Sequence, residues 1–435
     1  MAQLTDFETQ TGAPPASAIT RKVVAAAVAG NALEFYDFGT YAFFAVFIGK
    51  AFFPAASEFT SLLLSVTVFG VGFVTRPLGG ILIGAYGDRA GRKPAMMLTI
   101  LLITLGTLGL ALTPTYESIG IAAPILVVLC RLVQGLALGG EVGPSTSFLI
   151  EIAPPEKRGL YASWQFVSQG LAILLAGVMG VSLGKLMAPA DLAAWGWRIP
   201  FAAGLLLIPV AIYLRHHMPE TMAPRASGDA HAAPRLMPLL RQNARVILLS
   251  ILIILGGTVP TYVGMYMTTY AINTLKFPPT IALVSVVALG ISTVVFSLVG
   301  GWLSDRFGRK PVMLVPRILA IVLAYPAFMW LFEVRTTTAL IGVTSMLAAL
   351  TFISASASLV AIPELLPIAV RSTGLSIAYA LGVALFGGST QLVVTWLIGV
   401  TGDPMAPAWY LVGTGIISVL AMLALPETRG REVMS

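Results

Sequence analysis

An ionisable side chain inside hydrocarbon costs about 2.5 to 3.5 kcal/mol on insertion scales, so each one kept in an apolar run needs a chemical reason. Glu34, Asp37, Arg76, Arg131, Glu141 and Arg317 stand inside such runs, and Arg198 lies at the edge of another. Asn31, Glu34, Asp37 or Phe38, and Tyr41 recur at helical spacing and form one polar stripe. Arg131, Gln134, Leu138, Glu141 and Ser145 form a second. A carboxylate paired with a guanidinium stays ionised, and it can accept a proton when the guanidinium turns to another anion. Proton uptake and anion binding then favour each other. The alternative is a permanent bridge from Glu34 or Asp37 to Arg131 that only holds two helices together. Histidine does not compete for the proton, because His216, His217 and His231 all lie in or beside a polar loop.

Hydroxyls and amides are the other resource. Thr258, Tyr262, Tyr266, Thr269 and Asn273 follow one another at three or four residues, as do Thr351, Ser354 and Ser358. Gln165, Ser168, Gln169 and Gln391 add amides and a hydroxyl. Such groups suit a ligand with several oxygens. Their structural alternative is close packing of small residues, with tyrosines in interfacial belts. Arg76 and Arg317 are expected to snorkel to the membrane surface or to bridge Glu151, Glu364 or a loop Asp. Arg198 reads as an interfacial anchor, with an outer-gate residue as the alternative.

The elements that must position these residues are membrane spans. The chain of 435 residues is 57% hydrophobic and 10% charged, against roughly 25% charged residues in a soluble domain. Runs long enough to cross a bilayer fall near 22–49, 59–84, 94–113, 119–150, 160–187 and 196–214, then near 246–274, 279–303, 311–332, 338–363, 372–400 and 408–425. Twelve spans are predicted. Eighteen Lys and Arg fall in connections on one side and four on the other, namely Lys50, Lys185, Lys276 and Arg335. By the positive-inside rule both termini are cytoplasmic. The net charge of +7 is thus topological, and its scatter over short loops excludes a nucleic-acid surface. The expected organisation is a cytoplasmic tail (1–21), a six-helix bundle (22–215), a cytoplasmic loop (216–243), a second six-helix bundle (244–426) and a cytoplasmic tail (427–435). No signal peptide is expected.

The halves repeat. Gly84-Ala-Tyr-Gly-Asp88-Arg89-Ala-Gly91-Arg92-Lys93-Pro94 recurs 217 positions later as Gly301-Trp-Leu-Ser-Asp305-Arg306-Phe-Gly308-Arg309-Lys310-Pro311, identical at seven of eleven positions. Glu151-x2-Pro154-x3-Arg158 recurs as Glu364-x2-Pro367-x3-Arg371, and Pro219-Glu220-Thr221 as Pro426-Glu427-Thr428. Both copies sit on the basic side, so each half holds an even number of spans and the halves run parallel. Asp88 and Asp305 are positioned to cap helix N-termini across a closed cytoplasmic side, while Arg92, Arg158, Arg309 and Arg371 can pair with Glu151 and Glu364. Positive-inside charge with Gly-allowed turns is the plainer account of the basic residues.

With these features the chain resembles the major facilitator superfamily, an all-α membrane fold of two six-helix bundles. Ala29-Gly30-Asn31-Ala-Leu-Glu34-Phe35-Tyr36-Asp37-Phe38, Arg76-Pro77-Leu78-Gly79-Gly80 and Trp195-Gly196-Trp197-Arg198-Ile199-Pro200-Phe201 look like its metabolite:proton symporter family. Ser163-Trp164-Gln165, Ser168-Gln169, Phe386-Gly387-Gly388 and Thr401-Gly402-Asp403 are most similar to the citrate and tricarballylate symporters. Gln391 departs from the Pro expected at that place in span 11. The resemblance implies that spans 1, 4, 7 and 10 line a central cavity. It places the two polar stripes opposite one another, and the pairing chemistry then points to Asp37 as the proton-coupling residue with Glu34 second, and to Arg131 as the substrate-carboxylate or relay group. Asn31, Tyr41, Gln134, Gln165, Ser168, Gln169, Tyr262, Tyr266, Thr269, Ser354, Ser358 and Gln391 become candidate substrate contacts.

The function expected is proton-coupled import of a small carboxylate, citrate or a related tricarboxylate, by alternating access in the cell inner membrane. A dicarboxylate, 2-oxoglutarate, shikimate or a betaine-type osmolyte are the alternative substrates, and a proton-antiport exporter is the alternative mechanism. The expected partners are the carboxylate, protons and lipid, and the protein is expected to be a monomer. No nucleophile with its base, phosphate loop or metal-ligand constellation is present, so neither an enzyme nor a cofactor is expected. Cys130 is the single cysteine, which leaves no intramolecular disulfide.

Overall fold

The computed structural model describes residues 21–55, 57–90, 92–139, 145–146, 149–150, 152–216, 238 and 241–429. Among them run twelve long helices. The first half holds α1 (Arg21–Phe43, resuming as Ala45–Phe52), α2 (Glu58–Val74, resuming as Arg76–Ala90), α3 (Arg92–Leu112), α4 (Ala122–Leu138), α5 (Arg158–Leu186) and α6 (Ile199–His216). The second holds α7 (Ala244–Asn273), α8 (Pro279–Phe307), α9 (Arg309–Val334), α10 (Thr337–Glu364), α11 (Ile368–Gly382, Val383–Gly387 and Gly388–Thr401) and α12 (Ala406–Leu423). Eight described helices are long and apolar enough to cross a membrane, and three shorter apolar ones belong to α3, α4 and α6.

Local sequence explains where the helices start and bend. Ser57 caps α2 through the Thr60 amide at 3.1 Å, and Thr336 caps α10 through the Ala339 amide at 3.2 Å. Between α8 and α9 the chain turns through Gly308 at φ 102°, a backbone region that a Cβ disfavours. Pro77 has no N–H to offer the preceding turn and crowds its carbonyl, so α2 breaks at Thr75. The Thr75 hydroxyl then bonds the Leu132 carbonyl at 2.9 Å, which fastens the break to α4. Arg76 follows directly. In α11 a π-helical turn over Val383–Gly387 displaces the helix face just before Gly388.

Within the first half α1 packs on α5 and α6, and α3 on α4 and α6; within the second, α10 packs on α8 and α9, and α12 on α7 and α9. The halves meet along α5 with α8 and along α2 with α11, and α1 also touches α7. Backbones approach closely at both seams. A Cβ on Gly70 would stand 2.5 Å from the Gly388 carbonyl oxygen, and one on Gly159 or Gly301 would stand 2.6 Å from the other's. Glycine permits what a bilayer rewards, since helices there associate through close packing. At the end away from the termini, Ala45, Val46, Leu62 and Val66 pack with Ile272 of α7 and Leu392 of α11, joining the halves by apolar contact.

Candidate functional site

Asp37, on α1, lies inside the first half and is 4% exposed. Thr107 of α3 donates to its Oδ1 at 2.7 Å, and Gln134 of α4 donates to its Oδ2 at 2.6 Å. Gln134 Oε1 accepts from Arg131 at 2.8 Å, whereas Arg131 reaches Asp37 itself only at 3.5 Å. Arg131 is 0% exposed, with its guanidinium carbon 4.0 Å above the Phe38 ring, 4.6 Å from Tyr41 and 5.6 Å from Phe69. Thr107 is the member that sequence reading missed, because a lone Thr in an apolar span makes no stripe.

Glu34 does not join that network. One turn earlier on α1, it pairs with Arg76 of α2 at 3.3 Å. Arg76 is 5% exposed and its guanidinium carbon lies 4.1 Å from the Phe73 ring and 4.7 Å from Phe38. Phe38 thus separates two guanidiniums, each held by the negative face of a ring. The expectation that Arg76 snorkels to the surface fails, because the break at Pro77 turns the residue toward α1 and α11. Arg317 also departs from that expectation. It is 1% exposed and donates to the Ser354 hydroxyl at 3.4 Å, behind the wall formed by α7 and α10. Arg198 donates to the Ala111 and Thr113 carbonyls, both at 2.7 Å, closing the end of α3.

A cavity opens between the halves. Phe35 of α1, Phe166 and Gln169 of α5, Thr258, Thr261 and Tyr262 of α7, Ala355, Ser358 and Leu359 of α10, and Leu375, Tyr379 and Val383 of α11 line it. Of the expected substrate contacts, Gln169, Tyr262 and Ser358 lie on it, and α4 contributes nothing. The face of α4 that carries Arg131 is turned into its own half instead. Asn31 donates to the Gln165 carbonyl at 2.9 Å and to Ser168 at 2.8 Å, tying α1 to α5. Tyr41 donates to the Ser65 carbonyl at 3.2 Å, Tyr266 accepts from Thr395 at 3.0 Å, and Ser354 donates to the Met313 carbonyl at 2.8 Å. Thr269 and Gln391 are buried away from the cavity with polar atoms lacking a hydrogen-bond partner. Tyr379 was not singled out in the sequence, although Ser376, Tyr379 and Val383 share one helix face.

At the end that bears the termini, Asp305 of α8 crosses between the halves. Its carboxylate accepts from the Gly159 and Leu160 amides in the first turn of α5, at 2.8 and 2.9 Å, and from Arg309 at 2.8 Å. Arg309 also makes a forked pair with Glu364 at 3.0 and 3.2 Å. That pair joins α9 to α10 within one half, so it is not a contact between halves. Glu427 accepts from the Arg309 and Lys310 amides, both at 2.8 Å, and so caps α9. Burial alone would raise its carboxyl, but backbone amides of Arg429, Arg309, Lys310 and Thr428 outweigh this and hold it below the usual carboxylate range. Arg158 is partly buried at the start of α5. Glu141 and Glu151, and the side chains of Asp88, Arg92 and Arg371, lie outside the described residues.

The family model described as sugar (and other) transporter matches residues 22–232 and again residues 225–435. The citrate-proton symporter of Salmonella typhi is 37% identical over 404 residues, covering 92% of this chain and 93% of that one. The alpha-ketoglutarate permease of Escherichia coli (strain K12) is 35% identical over 408 residues, covering 92% and 93%. Among solved structures, the D-xylose-proton symporter superposes with a TM-score of 0.73 at 19% identity, over 94% of this chain and 99% of that one, a likeness of fold.

Proposed function

The chain belongs to the sugar (and other) transporter family and is a multi-span membrane transporter of the major facilitator fold, and on that premise we propose that it imports citrate or a related tricarboxylate together with protons. The observation that carries the reading is the buried Asp37–Gln134–Arg131 chain beside an interbundle cavity. With the positive-inside rule, the end that bears the termini faces the cytoplasm.

The residues divide the work. Asp37 takes and releases the proton, Arg131 senses its charge and Gln134 couples the two. When Asp37 is ionised, Gln134 is held between carboxylate and guanidinium, which draws α1, α3 and α4 together. Protonation removes the charge that orients this chain, and the three helices are then free to repack. Glu34 is the second carboxylate, held by Arg76. Gln169, Tyr262 and Ser358, with Thr258 and Tyr379, offer hydroxyls and amides to substrate oxygens across the cavity. Asp305 fastens the cytoplasmic ends of α5 and α8 when the halves are shut there, through amides that carry the positive end of a helix dipole.

The test is uptake of labelled citrate, tricarballylate, 2-oxoglutarate and betaine into proteoliposomes under an imposed pH gradient. Accumulation of a tricarboxylate that collapses with the gradient supports the proposal. Preference for 2-oxoglutarate would move the substrate to a dicarboxylate, and substrate-driven proton movement of opposite sign would make the protein an exporter.

A further inference from the structure

A polyanion entering the cavity needs a cation at its wall, and Arg131 is not there. Three rings and Gln134 enclose it, and it lines neither cavity. Arg76 occupies the place that Arg131 was expected to hold. It lines a smaller cavity with Leu138 of α4, Gly139 just after it, and Ser376, Tyr379 and Val383 of α11. Tyr379 and Val383 line the larger cavity as well, so the two spaces meet at this pair with Arg76 at the junction of the halves. Tyr262 reaches the same point from α7, its ring 5.4 Å from Phe73, on whose face Arg76 rests.

The guanidinium has capacity to spare. It presents five N–H donors; Nη2 stands 3.3 Å from Glu34 and the Tyr262 hydroxyl takes a further hydrogen bond, while the buried Nε has no hydrogen-bond partner. A substrate carboxylate approaching from the cavity and received on the Nε edge as a fork takes Nε and Nη2, and so displaces Glu34 from Nη2. We propose that Arg76 is the residue that binds a substrate carboxylate, drawing it to the meeting point of α1, α2, α7 and α11, where closing the halves around it requires no further cation from α4. This rests on the carboxylate reading above. It also assigns the two arginines different tasks, Arg76 to the anion and Arg131 to the proton.

The experiment measures citrate binding to the purified full-length protein in detergent by calorimetry, and citrate exchange in proteoliposomes without a gradient. Arg76→Lys keeps the charge but loses the fork, and should weaken citrate binding and raise the exchange KM at least tenfold while leaving the maximal exchange rate within about threefold. Glu34→Gln removes the competing carboxylate and should tighten citrate binding several-fold. Unchanged citrate affinity in Arg76→Lys overturns the assignment, as does weaker binding in Glu34→Gln with an unaltered melting temperature. If the wild-type protein takes up betaine and no polycarboxylate, the citrate reading fails by itself. A matching KM shift for betaine in Arg76→Lys would still uphold Arg76 as the carboxylate receptor, and no shift would remove both.

Discussion

Arg131 and Asp37 face each other at 3.5 Å, and Gln134 is hydrogen-bonded to both, at 2.8 and 2.6 Å. A direct buried ion pair would be hard to open, since separating its charges leaves each unpaired in a medium that solvates neither. An intervening amide lowers that barrier. It can follow either partner, so a change of charge on Asp37 is passed to Arg131 as a change of hydrogen bonding.

Asp37→Asn should abolish proton-driven accumulation and spare substrate exchange, because Asn keeps the shape and the Thr107 contact but cannot take up the proton. Uptake with and without a pH gradient, measured beside counterflow in proteoliposomes, checks this. Accumulation at the wild-type level would remove Asp37 from the coupling role.

Gln134→Leu leaves Asp37 and Arg131 each short of a short hydrogen bond. A buried group left unsatisfied costs about 1 to 3 kcal/mol, so the variant should melt at lower temperature in detergent and lose accumulation. Gln134→Glu should be worse than Gln134→Leu for coupling, since it places a second anion beside Asp37. A normal pH-driven uptake in either variant would show that the amide is a spectator.

Asp305→Ala removes a carboxylate from two α5 amides and from Arg309. Losing a cap of this kind costs about 1 kcal/mol, and here the cost falls only on the state in which α5 and α8 touch at this end. The expected result is a several-fold shift toward the state open at the terminal end. It can be read as faster thiol labelling of Ser163→Cys in a Cys130→Ala background, because Ser163 packs against Gly301 at that seam. Equal labelling rates would count against Asp305 as a tie between halves.

Gly70→Val places a branched side chain where a Cβ already stands 2.5 Å from the Gly388 carbonyl oxygen. Transport should fall at least tenfold through failure of α2 and α11 to close, while surface expression persists. Wild-type uptake in this variant would mean that the seam opens more widely than the cycle needs.

Glu427 sets an acid limit on stability. Its folded carboxyl is held below the ordinary value of 4.5, so its contribution is present above that value and is lost as the pH falls through the folded one. The melting temperature should therefore drop as the pH falls below about 4.5. Glu427→Gln should start lower at neutral pH and drop less over the same window. Parallel melting curves for the two proteins would refute the link.

Much of the fold was legible because a bilayer leaves few choices. Each span must bury its own backbone hydrogen bonds, so an apolar run of sufficient length is a helix almost regardless of detail. The Asp305 and Glu364 segments likewise mark the helix ends between α8 and α9 and between α10 and α11. The site was legible only in part. Asp37 and Arg131 were visible as rare charges, yet the reading allowed either Glu34 or Asp37 as the partner. Thr107 carried no signal at all. Arg76 was misplaced because a charge near the end of a peripheral span was expected to reach the surface, and the break at Thr75, just before it, turns it inward.

The amino-acid sequence by itself determined the twelve spans, the duplication and the identity of the buried charges, since these follow from local hydropathy and from residues near one another in the chain. Tertiary structure alone decided which charge meets which. Glu34 and Asp37 sit one turn apart on α1, and packing against α2, α3 and α4 sends one to Arg76 and the other to Gln134 and Thr107. Partner choice between helices depends on rotation and bend, and those are set by glycine contacts and a proline break summed over the whole interface.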